Sequence, residues 1–150
     1  MSQPASSDPA QPPVAGEKIA LSVVGALYLT SLFLHAAIDP SGASHVAGYQ
    51  VLFTAWAGVI FGNLEWLANP LLMGGLLAYK FRKYQVAGAL AGFAVLVACQ
   101  SFFGFDGHQY FPSYAARQLE LGFYVWLIAL IVFAAWVANV AAPDAQEEQR

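Results

Sequence analysis

The chain has 150 residues, 59% of them hydrophobic and only 10% charged, with six Lys or Arg against nine Asp or Glu for a net charge of −3. Charge that sparse cannot clothe a water-soluble domain of this size, so lipid must cover the surface, and one small bundle uses up the length without room for a separate soluble catalytic domain. The basic residues, Lys18, Lys80, Arg82, Lys83, Arg117 and Arg150, form no patch that follows a phosphate backbone, which excludes nucleic acid as a partner, and the single Cys99 excludes an intramolecular disulfide.

Residues 1–17 carry Pro4, Pro9, Pro12 and Pro13 among Ser, Gln and Ala and have no periodic apolar face. Such a segment cannot bury enough surface to offset the entropy of ordering, so it is predicted to be a disordered tail. It has no positive charge before Lys18 and leads into an apolar run too long for a signal-peptide core, which points to an uncleaved first helix. That run, residues 19–38, has no charge and only His35 as an ionisable group. At 1.5 Å per residue it covers ~30 Å, the hydrocarbon thickness. Asp39-Pro40-Ser41-Gly42 then supplies turn chemistry.

The next apolar stretch, Tyr49 to Tyr79, would be roughly 46 Å long as one helix, too long for an untilted span. Counting back about 20 residues from Lys80, Arg82 and Lys83, which belong at a membrane surface, places the second span at 60–79. Tyr49 to Val59 is left as a short interfacial or re-entrant helix. The rival division, with Tyr49 to Ala68 as the span, lays Leu71 to Tyr79 on the surface, where they offer water no polar face. Spans at 84–103 and 119–141 follow, and 143–150, with Asp144, Glu147 and Glu148, reads as an acidic solvated tail. The expected fold is all-α, an integral membrane bundle of four transmembrane helices over residues 18–142 with that short extra helix. Lys18, Lys80, Arg82, Lys83 and Arg150 fall on the terminal side and only Arg117 on the other, so both termini are expected to be cytoplasmic. The aromatic loop from Phe102 to Tyr114 suits the opposite headgroup level.

The polar residues within this apolar frame carry the functional expectations. Glu65 and Asn69 stand four residues apart on one helix face, with Asn63 nearby, and Pro70 removes the donor that the Trp66 carbonyl would use. A kink is predicted at Pro70, with Asn69 able to satisfy the freed carbonyl or bond a neighbouring helix. The functional reading is a proton, cation or polar-ligand site on a broken helix; the structural reading is polar glue. Glu120 lies one turn from Arg117 and reads as half of an interfacial ion pair or as part of the same site. His35, Asp39, His45 and His108 are weak metal candidates, since imidazole and carboxylate suit transition metals but no two histidines share a helix at four-residue spacing. Haem has no Cys-x-x-Cys-His signature here. Gly58 with Gly62, and Gly88 with Gly92, are helix-packing candidates. No hydrolase elbow or phosphate-cradling glycine loop is present, so no catalytic residue and no cofactor is expected.

Gly48-Tyr49, Trp56-x-Gly58-x-x-x-Gly62, Trp66-Leu67-Ala68-Asn69-Pro70 and Tyr124-Val125-Trp126-Leu127 together resemble the landmarks of a group of small bacterial four-helix multi-pass membrane proteins to which no activity is assigned. The likeness covers roughly residues 18–140, and Ala55-Trp56 stands where such proteins often have Gly-Trp. It implies architecture and a bacterial inner-membrane address. The functional expectation is a non-enzymatic membrane protein, accessory to a larger complex or self-associating. The alternatives are a small carrier, channel or sensor using Glu65, Asn69 and Glu120, or a metal- or haem-binding subunit.

Overall fold

A computed structural model describes residues 15–38, 44–54, 56, 59, 64–102 and 118–147. Helix α1 (Ala15–Phe33) opens with Glu17 in its first turn, where a carboxylate favours the positive end of the helix dipole. This start lies inside the stretch expected to be a tail. The helix also ends early: after a bend at Leu34, residues His35–Ile38 form strand β1 instead of completing a 19–38 helix. Pro40 disfavours the helical region at the residue before it, and pairing with two further strands gives the backbone of 35–38 its partners. Those strands are β2 (His45–Ala47) and β3 (Gln118–Leu119), both antiparallel to β1 in a small sheet of order β2-β1-β3. The expected all-α architecture is therefore mostly helical with this sheet added.

Helix α2 (Gly48–Thr54) runs on from β2 and occupies much of the segment read as an extra interfacial helix. A 3-10 turn, Leu64–Leu67, leads into α3 (Ala68–Lys80). Pro70 thus falls in the first turn of α3, where a backbone N–H has no partner within the helix anyway. In place of the kink expected of Pro70 in a continuous span, the structure has a 3-10 turn just upstream and starts the α-helix at Ala68. Arg82 then adopts a left-handed conformation (φ 58°). Arg82 N–H donates to the Tyr79 carbonyl and Lys83 N–H to the Ala78 carbonyl, both at 2.9 Å, which closes α3 with the two nested bonds of a Schellman turn. Helix α4 (Tyr84–Ala98) continues as a 3-10 turn, Cys99–Phe102, and α5 (Leu121–Glu147) follows β3. Helix α5 extends into the stretch read as a solvated tail.

Among the described residues, three segments are long and apolar enough to cross a membrane: Gly16–Phe33, Tyr84–Phe102 and Leu121–Ala141. The 13 residues of α3 fall short of that length. Helix α5 is apolar on every side: Phe123, Leu127, Leu130, Phe133 and Val137 are buried, while Leu121, Tyr124, Ile128 and Ile131 face outward and are 45% or more exposed. A helix apolar all round belongs in a large core or in lipid, and a bundle this small has no large core. Helix α5 packs on α1 and α4, and α4 packs on α3. The seam is made of small side chains. Ala87, Ala91, Ala94 and Ala98, at alternating spacings of four and three, are essentially fully buried, and Gly75 brings α3 against Phe133 so closely that an added Cβ would lie 3.0 Å from its ring. Where lipid tails solvate apolar surface as well as protein does, close backbone approach of this kind replaces the hydrophobic drive.

Candidate functional site

Two polar constellations stand out among the described residues. The first lies where α1, α3 and α5 meet. Asn69 Oδ1 accepts from Tyr28 Oη of α1 at 3.0 Å and from Trp126 Nε1 of α5 at 3.1 Å, while Asn69 Nδ2 donates to the Trp66 carbonyl at 3.3 Å. The carbonyl expected to be freed by Pro70 is thus satisfied by the neighbouring side chain, and one amide ties three segments together. Trp66 Nε1 in turn donates to the Leu52 carbonyl of α2 at 2.8 Å. Glu65 sits in the 3-10 turn, partly buried, one residue from this knot in the chain. At the other end of the bundle Trp136 Nε1 donates to Tyr79 Oη at 2.9 Å. No buried side-chain nitrogen or oxygen among the described residues lacks a hydrogen-bond partner.

The second constellation is at the sheet. His45 Nδ1 lies 2.9 Å from both carboxylate oxygens of Glu120, and the rings of His35 and His45 lie 5.0 Å apart, tilted by 35°. One donor atom from each of His35, His45 and Glu120 falls within 4.8 Å of the others. Sheet register explains the convergence. Ile38 pairs with His45 and Ala37 with Val46, but the next partners are His35 and Ala47, so β1 carries one extra residue, Ala36, in a bulge. Side chains alternate faces along a strand, and without the bulge His35 would share the face of Ala37, opposite His45. The extra residue turns His35 onto the face of His45. On the other side Leu119 pairs with Ala37, so Glu120 is next in alternation to reach that same face, and its N–H donates to the Ala36 carbonyl at 2.9 Å.

Two glycines hold this end of the fold together. Gly48 N–H donates to the Leu34 carbonyl at 2.9 Å, and a Cβ at Gly48 would collide with the Ser31 carbonyl. A Cβ at Gly122 would lie 2.7 Å from the His35 carbonyl oxygen and 2.9 Å from that of Leu34. Only a residue without a side chain lets the start of α5 abut β1 this closely.

The predicted site residues separate accordingly. Glu120 pairs with His45 among the described residues, and Asn69 bonds the Trp66 carbonyl and the neighbouring helices through Tyr28 and Trp126, as expected of it. Asn63, Arg117, Asp39, His108, Gly58 and Gly62 lie outside the described residues. Gly88 makes room for ordinary contact with Val137 (3.7 Å from an added Cβ), and an added Cβ at Gly92 would meet nothing within 4 Å. Among the described residues, the alanine seam and Gly75 bring α3, α4 and α5 closer together than Gly88 or Gly92 does. Gly92 instead opens an apolar furrow with Val95, Leu96, Ile131, Ala134 and Ala135. The pairing of His35 with His45 had no helical signature, and the signal that does exist, two short runs flanking Asp39-Pro40-Ser41-Gly42 as a hairpin, was masked by the length of the first apolar run. Compared with protein-family models, curated proteins and solved structures, the chain matches none of them.

Proposed function

We propose that the chain is a four-pass protein of a bacterial inner membrane, both termini cytoplasmic, that acts through helix packing as a non-enzymatic accessory or self-associating bundle. The fourth pass is the 3-10 turn 64–67 with α3, which supplies 17 residues between the sheet end and the basic turn at Lys80, Arg82 and Lys83. The antiparallel pairing of β1 with β3 puts the end of α1 beside the start of α5, which supports termini on one side, and the basic residues of that turn support its cytoplasmic address.

The observation that carries this reading is the use made of Asn69. A carrier keeps polar groups free to meet cargo, whereas here the central amide holds Tyr28, Trp126 and the Trp66 carbonyl. The apolar furrow at Gly92 faces outward, and its small residues fit an apolar transmembrane helix. Gly92→Leu is the test, because the chain itself leaves open space at that Cβ. The variant should keep its thermal midpoint in mild detergent yet lose native mass in the extracted complex; whether the lost mass is a multiple of this chain separates self-association from a foreign partner. An unchanged complex, or proteoliposome flux of protons or cations that Glu65→Gln abolishes, would refute the packing reading.

A further inference from the structure

The cluster on the sheet face is independent of the membrane-packing reading, and its chemistry points elsewhere. We propose that His35, His45 and Glu120 bind a divalent first-row transition cation of the zinc type through two imidazole nitrogens and one carboxylate, with a coordination position left for water or an external ligand.

The donor set comes first. Imidazole nitrogen is a poor ligand for the hard cations calcium and magnesium, which take oxygen, and a good one for zinc, iron, cobalt, nickel and copper. Spacing comes second. With metal–ligand bonds of about 2.1 Å, ligand atoms in a tetrahedral complex lie ~3.4 Å apart. His45 Nδ1 and the Glu120 carboxylate, hydrogen-bonded at 2.9 Å, need to part by only about half an ångström to reach it, and the 4.8 Å limit on the trio leaves His35 a shift of little more than an ångström. His45 and Glu120 keep 56% and 22% of their side-chain surface open, so rotation of the rings meets little resistance. In the ion-free arrangement the imidazole Nδ1–H donates to the carboxylate. On binding, that proton moves to the exposed Nε2 by a change of tautomer, and Nδ1 and the carboxylate oxygen both turn their lone pairs to the cation. Side-by-side rings 5.0 Å apart leave no room for a porphyrin between them, which favours an ion over haem.

Preorganisation comes third. The donors arrive from three separate segments, at positions 35, 45 and 120, brought to one face by a bulge that a regular strand would not need. The backbone at Leu34 and His35 is held by the Gly48 N–H on the Leu34 carbonyl and by the close approach of Gly122 to both carbonyls. A histidine–glutamate surface ion pair alone calls for neither the bulge nor the second ring. Three protein ligands leave the fourth tetrahedral position open, as in metal centres that bind or activate a small ligand.

The experiment uses the full chain in mild detergent, stripped with chelator and titrated with Zn²⁺ against a chromophoric competitor, then with Co²⁺ read by visible absorption. One ion should bind per chain, and the cobalt form should show the intense d–d bands of four-coordination. His35→Asn, His45→Asn and Glu120→Gln should each weaken binding by about tenfold or more. Because a substitution here could unfold the sheet, His45→Cys provides a gain of signal: the cobalt-loaded variant should acquire a thiolate-to-metal charge-transfer band that wild type, with Cys99 alone, lacks. Absence of stoichiometric binding in wild type, affinity unchanged across the three variants, or no new band in a folded His45→Cys protein overturns the proposal.

Discussion

Asn69→Leu is the most incisive test of the bundle. The substitution keeps nearly the same volume and adds apolar character, so on transfer grounds alone it should be neutral or better in a membrane. In the structure it removes one acceptor used by Tyr28 Oη and Trp126 Nε1 and one donor used by the Trp66 carbonyl. Interhelical hydrogen bonds in membrane proteins average about 0.6 kcal/mol, so the two to Tyr28 and Trp126, with the local bond to the Trp66 carbonyl taken at a similar value, set a loss of about 2 kcal/mol. The part-buried groups left behind add up to about 1 kcal/mol each where they find no substitute. We expect a loss of about 2–4 kcal/mol, measured by reversible SDS unfolding of the full chain in mixed micelles and followed by far-UV circular dichroism. A double-mutant cycle with Tyr28→Phe isolates one bond and should return a coupling near 0.6 kcal/mol, because the two residues touch and share a partner. A loss below about 0.5 kcal/mol for Asn69→Leu, or zero coupling with Tyr28→Phe, would show that the knot is incidental and return Asn69 to the list of groups available to a ligand.

Two further outcomes follow from packing. Phe133→Ala empties the centre of α5, where the ring is fully buried against Gly75 and Tyr79, and should cost about 3–5 kcal/mol in the same unfolding assay; a cost under about 1 kcal/mol would mean that lipid or neighbouring side chains fill the site. Gly122→Ala places a methyl group against two backbone carbonyls, neither of which can rotate away, and should cost about 1–3 kcal/mol while also weakening Zn²⁺ binding, because α5 must move away from His35 and carry Glu120 with it. Unchanged stability together with unchanged Zn²⁺ affinity would show that the α5–β1 contact positions nothing.

The long apolar helices could be read from composition and run length, because in a bilayer each helix satisfies its own backbone and needs only enough apolar residues to match the hydrocarbon. That is why the third and fourth apolar runs correspond to Tyr84–Phe102 and Leu121–Ala141. The same logic misplaced the end of α1. Residues 35–38 are as apolar as those before them, and only partners far along the chain, at 45–47 and 118–119, make a strand the better solution. Pro70 and Asn69 were legible as a linked pair, since a missing donor and a nearby amide are local facts. That the amide would also hold Tyr28 and Trp126 depended on how α1 and α5 come to lie beside α3.

By itself, then, the order of residues determined a mostly helical chain with helices long and apolar enough to cross a membrane. Tertiary structure alone decided which polar groups meet. Helical periodicity relates residues a few positions apart, whereas His35, His45 and Glu120 are joined by strand register, a bulge and two glycine contacts, none of which leaves a periodic trace in the sequence.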